Sequence, residues 1–147
     1  MRKDHRPYSL KVLQGKLEAR WVKHFIAPQL ERMGHHSMIM KPWFLKIYGK
    51  EISFGTSVHV ITAPDRNVRL TTWEMNDHQG RIDIQDYVLI CPGVRIDSAL
   101  SVEIGASTML AAGVYITDAD WHDIYDRTQA IGRSAPVKLA ANVWVGD

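Results

Sequence analysis

Short apolar doublets, each made of two apolar residues that flank one spacer, recur along the second half of the chain. They occupy residues 88–90, 94–96, 114–116 and 143–145, repeat every six positions, and usually have a small or turn-forming pair between them. A fixed short period is the signature of a repeat architecture, because each unit buries its apolar face only against its neighbours. A six-residue unit has room for one short strand and one turn.

Two other structures would also produce this alternation. Residues 84–100 fit one half-buried strand, but Pro92 and Gly93 interrupt it, and proline is not tolerated inside a central strand. A meander of hairpins would leave strands of about three residues, which is below the usual five or six. A parallel coil avoids both problems, because each short strand stacks on the equivalent strand of the next coil. We therefore predict an all-β parallel β-helix over residues 51–147.

The coil predicts which positions face inward and which form corners. The residues that open each unit are aliphatic: Ile84, Ile90, Ile96, Ile104, Leu110, Ile116, Leu139 and Val145. A second aliphatic residue follows four positions later, at Val88, Val94, Leu100, Val114 and Val143. The corner pairs between them are mostly small or Asx-like residues, which accept the backbone angles of a tight turn. These pairs are Asp86-Tyr87, Pro92-Gly93, Ser98-Ala99, Ala106-Ser107, Ala112-Gly113 and Ala141-Asn142.

The first 50 residues carry a different pattern, and we predict that residues 1–50 form a basic helical arm. Eleven Lys or Arg against three Asp or Glu give this segment a net charge of +8, whereas seven against thirteen give the rest −6. Apolar residues recur every three or four positions, at Leu10, Leu13, Leu17, Trp21 and Phe25. Pro28 is expected to kink the helix or split it in two, with its end near Met33. The apolar side would pack on the coil or on a neighbouring subunit, or the arm would associate weakly with an anionic membrane surface.

Composition sets wider bounds on the class of protein. A length of 147 residues fits one domain or one domain with an arm. The single cysteine, Cys91, excludes an internal disulfide, and no apolar run approaches the length of a membrane span. The first residues lack the apolar core of a secretory signal. We expect a cytoplasmic protein, peripheral to the membrane at most, with no nucleic-acid partner.

The break in the repeat after Ile116 holds the candidate chemistry. The next inward position would be Asp120, which an apolar core does not accept, and the repeat resumes only at residues 137–139. An excursion loop over residues 117–136 is long for a rigid scaffold, and such loops usually serve a function. It holds His122 among four carboxylates and next to Trp121. Histidine is the commonest general base near neutral pH, and a nearby carboxylate can orient its ring. The alternative is an ordinary surface histidine.

Three parts of the sequence resemble the hexapeptide-repeat acyltransferases: residues 104–116, the beginning of the excursion at 116–122 and the return to the repeat at 142–146. These are left-handed parallel β-helices of the group that holds galactoside, maltose and other sugar O-acetyltransferases. The resemblance extends from residue 52 to the last residue. It implies a homotrimer in which acetyl-CoA, or another acyl-CoA, meets the acceptor in a groove between two subunits. Acyl-CoA is then a co-substrate, and neither a permanently bound cofactor nor a metal is implied.

The resemblance also implies roles for individual residues. His122 sits where the family has the base that deprotonates the acceptor hydroxyl for direct attack on the thioester. Asp118 and Asp120 are candidate orienters of its ring, Trp121 is a candidate pocket wall, and all three are candidates for binding the acceptor. The remaining candidates are Cys91 and Ser98 for the acceptor and Trp144 for acyl-CoA. Cys91 and Ser98 also fit plain roles as small corner residues.

The family pattern continues past the point where this sequence stops, in mid-repeat at residues 145–147. The missing coils would carry most CoA contacts, so we expect a fragment of a longer enzyme that is itself inactive and binds CoA weakly.

Two other functions stay open. One is a non-catalytic binding or structural module. The other is a metal-dependent hydratase resembling the γ-class carbonic anhydrases, for which His59, His78 and His122 are available but have spacings that do not match.

Overall fold

A computed structural model describes residues 7–75, 78–123, 125–128 and 132–146 of the chain, and it is mostly β-structure with one α-helix. Helix α1 covers Tyr8–Trp21 and continues as a π-helical turn over Val22–Ile26 and a 3-10 turn over Ala27–Gln29. The backbone becomes extended at Leu30, so Pro28 lies in the turn that ends the helical segment. None of the described helices combines the length and the apolar character of a membrane span.

Short strands make up most of the remaining chain, with a further 3-10 turn at Pro42–Phe44. In chain order the strands are β1 (Arg32–Met33), β2 (Met38–Met40), β3 (Leu45–Tyr48), β4 (Ile52–Phe54), β5 (His59–Ile61), β6 (Val68–Thr72), β7 (Glu74–Met75), β8 (His78–Gln79), β9 (Ile82–Ile84), β10 (Leu89–Ile90), β11 (Arg95–Ser98), β12 (Val102–Ile104), β13 (Met109–Leu110), β14 (Tyr115–Thr117), β15 (Val137–Leu139) and β16 (Trp144–Val145).

Three parallel sheets take up these strands in rotation. Sheet A has the order β1-β4-β9-β12-β15, sheet B the order β2-β5-β10-β13-β16 and sheet C the order β3-β6-β11-β14. The chain passes through sheets A, B and C and then returns to sheet A one position further along, so each pass is one coil. Strands β7 and β8 form a separate antiparallel pair after sheet C. This topology is compatible with the predicted all-β parallel β-helix.

The first coil begins at Arg32, which is earlier than the sequence pattern indicated. Strands β1, β2 and β3 lie within the segment assigned to the helical arm, and each pairs with the equivalent strand of the next coil. Ile39 and Leu45 are buried in this coil, and Leu45-Lys46-Ile47 is itself an apolar doublet within the segment that its net charge assigned to the arm. The helical part of the described arm therefore ends at Gln29, and the rest of it is part of the coil.

Aliphatic side chains fill the interior between the sheets, as the repeat predicts. Ile84, Ile90, Ile96, Ile104 and Leu110 have no exposed surface. Burial of one such side chain stabilises a fold by about 1.5–3 kcal/mol. The inward residues that stay half-buried are Leu100, Leu139, Val143 and Val145. The last three belong to the final described coil, which has a neighbouring coil on one side, and Leu100 lies in an irregular corner.

Most predicted corners share one backbone device. The second residue of the pair has a positive φ, at +83° in Gly93 and +82° in Gly113. Tyr87, Ser107 and Asn142 adopt the same left-handed region with φ near +60°. The corner predicted at Ser98-Ala99 differs, because Ser98 ends β11 and the residues after it bend without a positive φ. Insertion of two residues at this corner accounts for the difference.

Most of the apolar side of α1 does not pack on the coil of its own chain, and the exception is Trp21, whose ring meets Trp43 edge-on. No residue of α1 is buried, and Leu10, Leu13 and Leu17 are more than half exposed. The side of the helix that faces the coil carries Gly15 and Ala19 instead. Packing on the coil of the same chain is therefore confined to the end of the apolar side, and packing on a neighbouring subunit stays a prediction.

Candidate functional site

The excursion that carries His122 leaves and rejoins the coil through a narrow antiparallel pair, which we call the neck. Ala119 and Ser134 form a bridge. Beside it, the Asp120 N–H donates to the Arg133 carbonyl at 2.9 Å, and the Gly132 N–H donates to the Asp120 carbonyl at 2.8 Å. The two ends of the loop are therefore held together by backbone hydrogen bonds, independently of the side chains farther along the loop.

Asp118, the residue at the root of the neck, is buried and accepts four hydrogen bonds. The Ser98 hydroxyl donates at 2.7 Å, and the backbone N–H groups of Ala99, Leu100 and Ser101 donate at 2.7, 2.9 and 2.6 Å. These N–H groups lie in the irregular corner after β11, and an unpaired buried N–H is costly. The carboxylate from the next coil therefore takes the place of a regular turn.

This geometry bears on two predicted site residues. Ser98 is fully buried and its hydroxyl is committed to Asp118, so neither side chain faces a surface where an acceptor would bind. Both Asp118 oxygens accept hydrogen bonds from the residues of the corner, so Asp118 does not orient the His122 ring as predicted. The predicted acceptor-binding roles of Ser98 and Asp118 gain no support from these contacts, which give both residues a structural role. Sequence alone misses the role because donors and acceptor lie 17–20 residues apart.

Trp121 fixes the beginning of the loop against sheet C. Its indole N–H donates to the Thr117 hydroxyl at 3.0 Å, and its ring lies 5.7 Å from that of Trp73. Trp73 precedes the antiparallel pair formed by β7 and β8, so two excursions from the coil meet here. The half-buried indole keeps part of its face open, which is compatible with the predicted pocket wall.

His122 follows Trp121 and is exposed. Its ring makes no hydrogen bond with any residue that the structure describes, and the carboxylates of Asp118 and Asp120 do not orient it. Asp120 is exposed and takes part in the neck through its backbone. Asp123 has a different task, since the N–H groups of Asp126 and Tyr125 donate to its carboxylate and lower its pKa. The His122 imidazole is thus available to a ligand on the surface.

A charged cluster on the outer face of sheet C was not found from the sequence. Arg69, Arg95 and Tyr115 occupy one register position on neighbouring strands. The Arg95 guanidinium pairs with buried Asp97 and lies 4.8 Å from the centre of the Tyr115 ring, and the tyrosine hydroxyl donates to Asp97 at 3.1 Å. The hydrogen bond with Asp97 raises the pKa of Arg95. One oxygen of Asp97 and the Nε of Arg69 are buried without a partner among the described residues.

The other two predicted site residues lie elsewhere in the coil. Cys91 follows β10 at the corner that leads into β11, so it lies at the opposite end of β11 from Ser98. The strand between them has four residues, or roughly 13 Å at about 3.3 Å per residue. Trp144 lies on the outer face of sheet B and is 72% exposed. Within one chain the structure does not bring either residue to His122.

The three histidines considered for a metal site also lie on separate elements. His59 is in β5 on sheet B, His78 is in β8, and His122 is on the excursion. Over the described ranges, no group of three His, Cys, Asp or Glu side chains within the chain has the geometry to hold a metal ion. A hydratase site shared between subunits stays a prediction.

Comparison with known protein families, with curated protein sequences and with solved structures gives no match for this chain.

Proposed function

We propose that this protein is a left-handed parallel β-helix acyltransferase. It would move an acetyl or other acyl group from a CoA thioester to a hydroxyl group of a sugar or similar acceptor, with His122 as the general base. The observation that carries the proposal is the exposed His122 ring, which has no described partner and follows Trp121 on a loop with a hydrogen-bonded neck. The resemblance to hexapeptide-repeat acyltransferases supports it from the sequence side.

The reaction needs a base because an alcohol is a poor nucleophile at neutral pH. A neutral imidazole accepts the hydroxyl proton as the alcohol oxygen forms a bond to the thioester carbonyl carbon. The tetrahedral oxyanion is stabilised by a hydrogen-bond donor such as a backbone N–H. When the carbon–sulfur bond breaks, the leaving thiolate takes the proton from the imidazolium. The products are the ester and free CoA, and His122 returns to its neutral form.

Asp118 would act on this chemistry at a distance. By closing the irregular corner it fixes the point where the loop leaves the coil, and the contact of Trp121 with Thr117 fixes the next turn. A site of this kind works best when its supporting contacts are rigid. Asp118 is therefore a positioning residue, and Asp120 and Trp121 would contact the acceptor.

A homotrimer would explain the separation of the candidate residues. The outer face of sheet B carries one register column of mostly apolar side chains: Met38, His59, Leu89, Met109 and Trp144. Exposed contiguous apolar surface of this kind favours a protein interface. In the proposed trimer, Cys91 and Trp144 of one subunit would meet His122 of the next in the groove that holds acyl-CoA.

The test is the release of free CoA thiol from acetyl-CoA in the presence of a panel of sugars. Acetyl-CoA is supplied at millimolar concentration, and the variants are compared in a version of the protein whose turnover exceeds the rate without protein. We expect His122→Ala to lower turnover by about 10²–10⁴-fold, with an unchanged urea midpoint, since the exposed ring makes no described hydrogen bond. The matched control is His24→Ala, an exposed histidine on the helical segment. Equal turnover in His122→Ala and the unsubstituted protein would rule out His122 as the base.

A further inference from the structure

Helix α1 and the turn after it present an apolar ridge to solvent, which we call the outer stripe. Its members are Leu10, Leu13, Leu17, Trp21 and Phe25. Leu13 is 53% exposed, Leu17 58% and Phe25 55%. The opposite side of the helix, with Gly15 and Ala19, faces β1 and β2 across a groove. Leu10, Leu13 and Leu17 of the outer stripe therefore point away from the coil of their own chain, whereas Trp21 lies beside Trp43 of the first coil.

Helix α1 has little to stabilise it within the described chain. It has 14 residues, none of them buried, and Pro7 provides no side-chain cap for its N-terminus. Gly15 lies in its middle, and no described neighbour comes within 4 Å of the place where a Cβ would lie, so no close packing explains this glycine. An isolated helix of this length is marginal in water. A surface that covers the outer stripe would stabilise it.

Two cations lie along one edge of the outer stripe. Lys16 and Arg20 lie three positions after Leu13 and Leu17, which places them along one edge of the stripe. Neither forms an ion pair with a carboxylate in the part of the chain that the structure describes. Glu18 and Lys23 lie on the other side, where they line the groove towards the coil. The exposed side of the helix thus combines apolar side chains with cations.

Aromatic rings extend this surface onto the first coil. The Trp21 ring lies 4.5 Å from Phe25 and meets Trp43 edge-on at 6.3 Å. Lys46, in β3, donates to the Trp43 carbonyl at 3.3 Å and adds a further cation at this end. Tryptophan and phenylalanine beside lysine are typical of groups that lie at the boundary between lipid headgroups and acyl chains.

We propose that the outer stripe and Trp43 lie in the headgroup region of an anionic lipid bilayer, so that the first coil rests on a membrane surface. This inference does not depend on the proposed acyl transfer. A second copy of the chain is the competing occupant, since the residues after 50 carry a net charge of −6. The oligomeric state of the variants without lipid separates these two occupants.

Sedimentation of the full chain with vesicles tests the proposal. We expect binding to phosphatidylglycerol–phosphatidylcholine vesicles at low salt, weaker binding at high salt and little binding to pure phosphatidylcholine. Lys16→Glu/Arg20→Glu and Leu13→Ser/Leu17→Ser should each weaken binding by at least about tenfold. Lys50→Glu/Arg66→Glu makes the same charge change at exposed positions of the coil and should bind like the unsubstituted protein, which separates the helix from overall charge.

Circular dichroism and analytical ultracentrifugation complete the test. Helical signal should rise when anionic vesicles are added to the unsubstituted protein and stay constant for the Leu13→Ser/Leu17→Ser variant. Absence of binding to anionic vesicles, or equal binding by all variants, would overturn the proposal. So would a change of oligomeric state in the stripe variants without lipid, combined with no vesicle binding, because the occupant would then be a second copy.

Discussion

Two kinds of corner turn the chain from one sheet to the next, and they are stabilised in opposite ways. The regular corners, such as those at Gly93 and Gly113, depend on one residue with a positive φ inside the turn itself. The irregular corner after β11 depends on Asp118, which reaches it from the following coil. The first kind is local, whereas the second couples a corner to the root of the His122 loop. A change at Asp118 should therefore alter both stability and the candidate site.

The largest effect in this comparison is expected from Asp118→Ala. It would leave a hydroxyl and three buried or half-buried N–H groups without their acceptor, so we expect a loss of about 3 kcal/mol or more in the free energy of unfolding. Urea denaturation measures it. Asp118→Asn keeps one carbonyl oxygen as an acceptor and should lose less. If the alanine variant lost less than about 1 kcal/mol in the free energy of unfolding, the irregular corner would be stable without Asp118, as the regular corners are.

A smaller effect is expected at a regular corner. Gly113 has φ +82° and nothing within 4 Å of the position where a Cβ would lie, so Gly113→Ala adds backbone strain without a steric clash. We expect a loss of about 1–2 kcal/mol, again from urea denaturation. Ser107→Gly is the reciprocal control, because Ser107 already carries this strain, and it should change stability by less than about 1 kcal/mol. Equal losses in both variants would contradict the local account of these corners.

The smallest effect is expected from Ser98→Ala. This change removes one of the four donors to Asp118 and leaves the three backbone donors in place, so we expect a loss of about 1 kcal/mol. The same variant separates the structural role from the acceptor-binding role predicted by the family resemblance. A structural role predicts an unchanged KM for the acceptor. A raised KM with unchanged stability would return Ser98 to the binding site.

The repeat was readable from the sequence because its cause is local. The inward aliphatic residues recur at a fixed spacing, and two of them, Ile90 and Leu110, are buried as predicted. The first coil was missed because the change in net charge after residue 50 set the predicted boundary, although Leu45 and Ile47 flank one spacer there. The position of the excursion could also be predicted, because Asp120 interrupts the six-residue repeat.

What the sequence did not reveal depends on contacts between coils or on exposure. The bonds from the corner to Asp118 join residues 17–20 positions apart, and Arg69 lies beside Arg95 only through the stacking of β6 on β11. The periodicity identified the apolar side of α1, but it does not indicate whether that side faces the coil or solvent. The sequence therefore predicted that the outer stripe packs within the protein. In each case the spacing identified the residues, and only the three-dimensional register decided what they contact.

The neck has a consequence for how this fold can diversify. Because Ala119 and Ser134 are paired and Gly132 bonds to Asp120, the chain re-enters the coil at a fixed place whatever lies between them. Lengthening a loop whose ends are already held costs little entropy, about 0.6 kcal/mol for each doubling. Insertions, deletions or grafted segments in this interval would therefore leave the register of β15 on β12 intact. The scaffold can exchange its surface chemistry without rebuilding its interior.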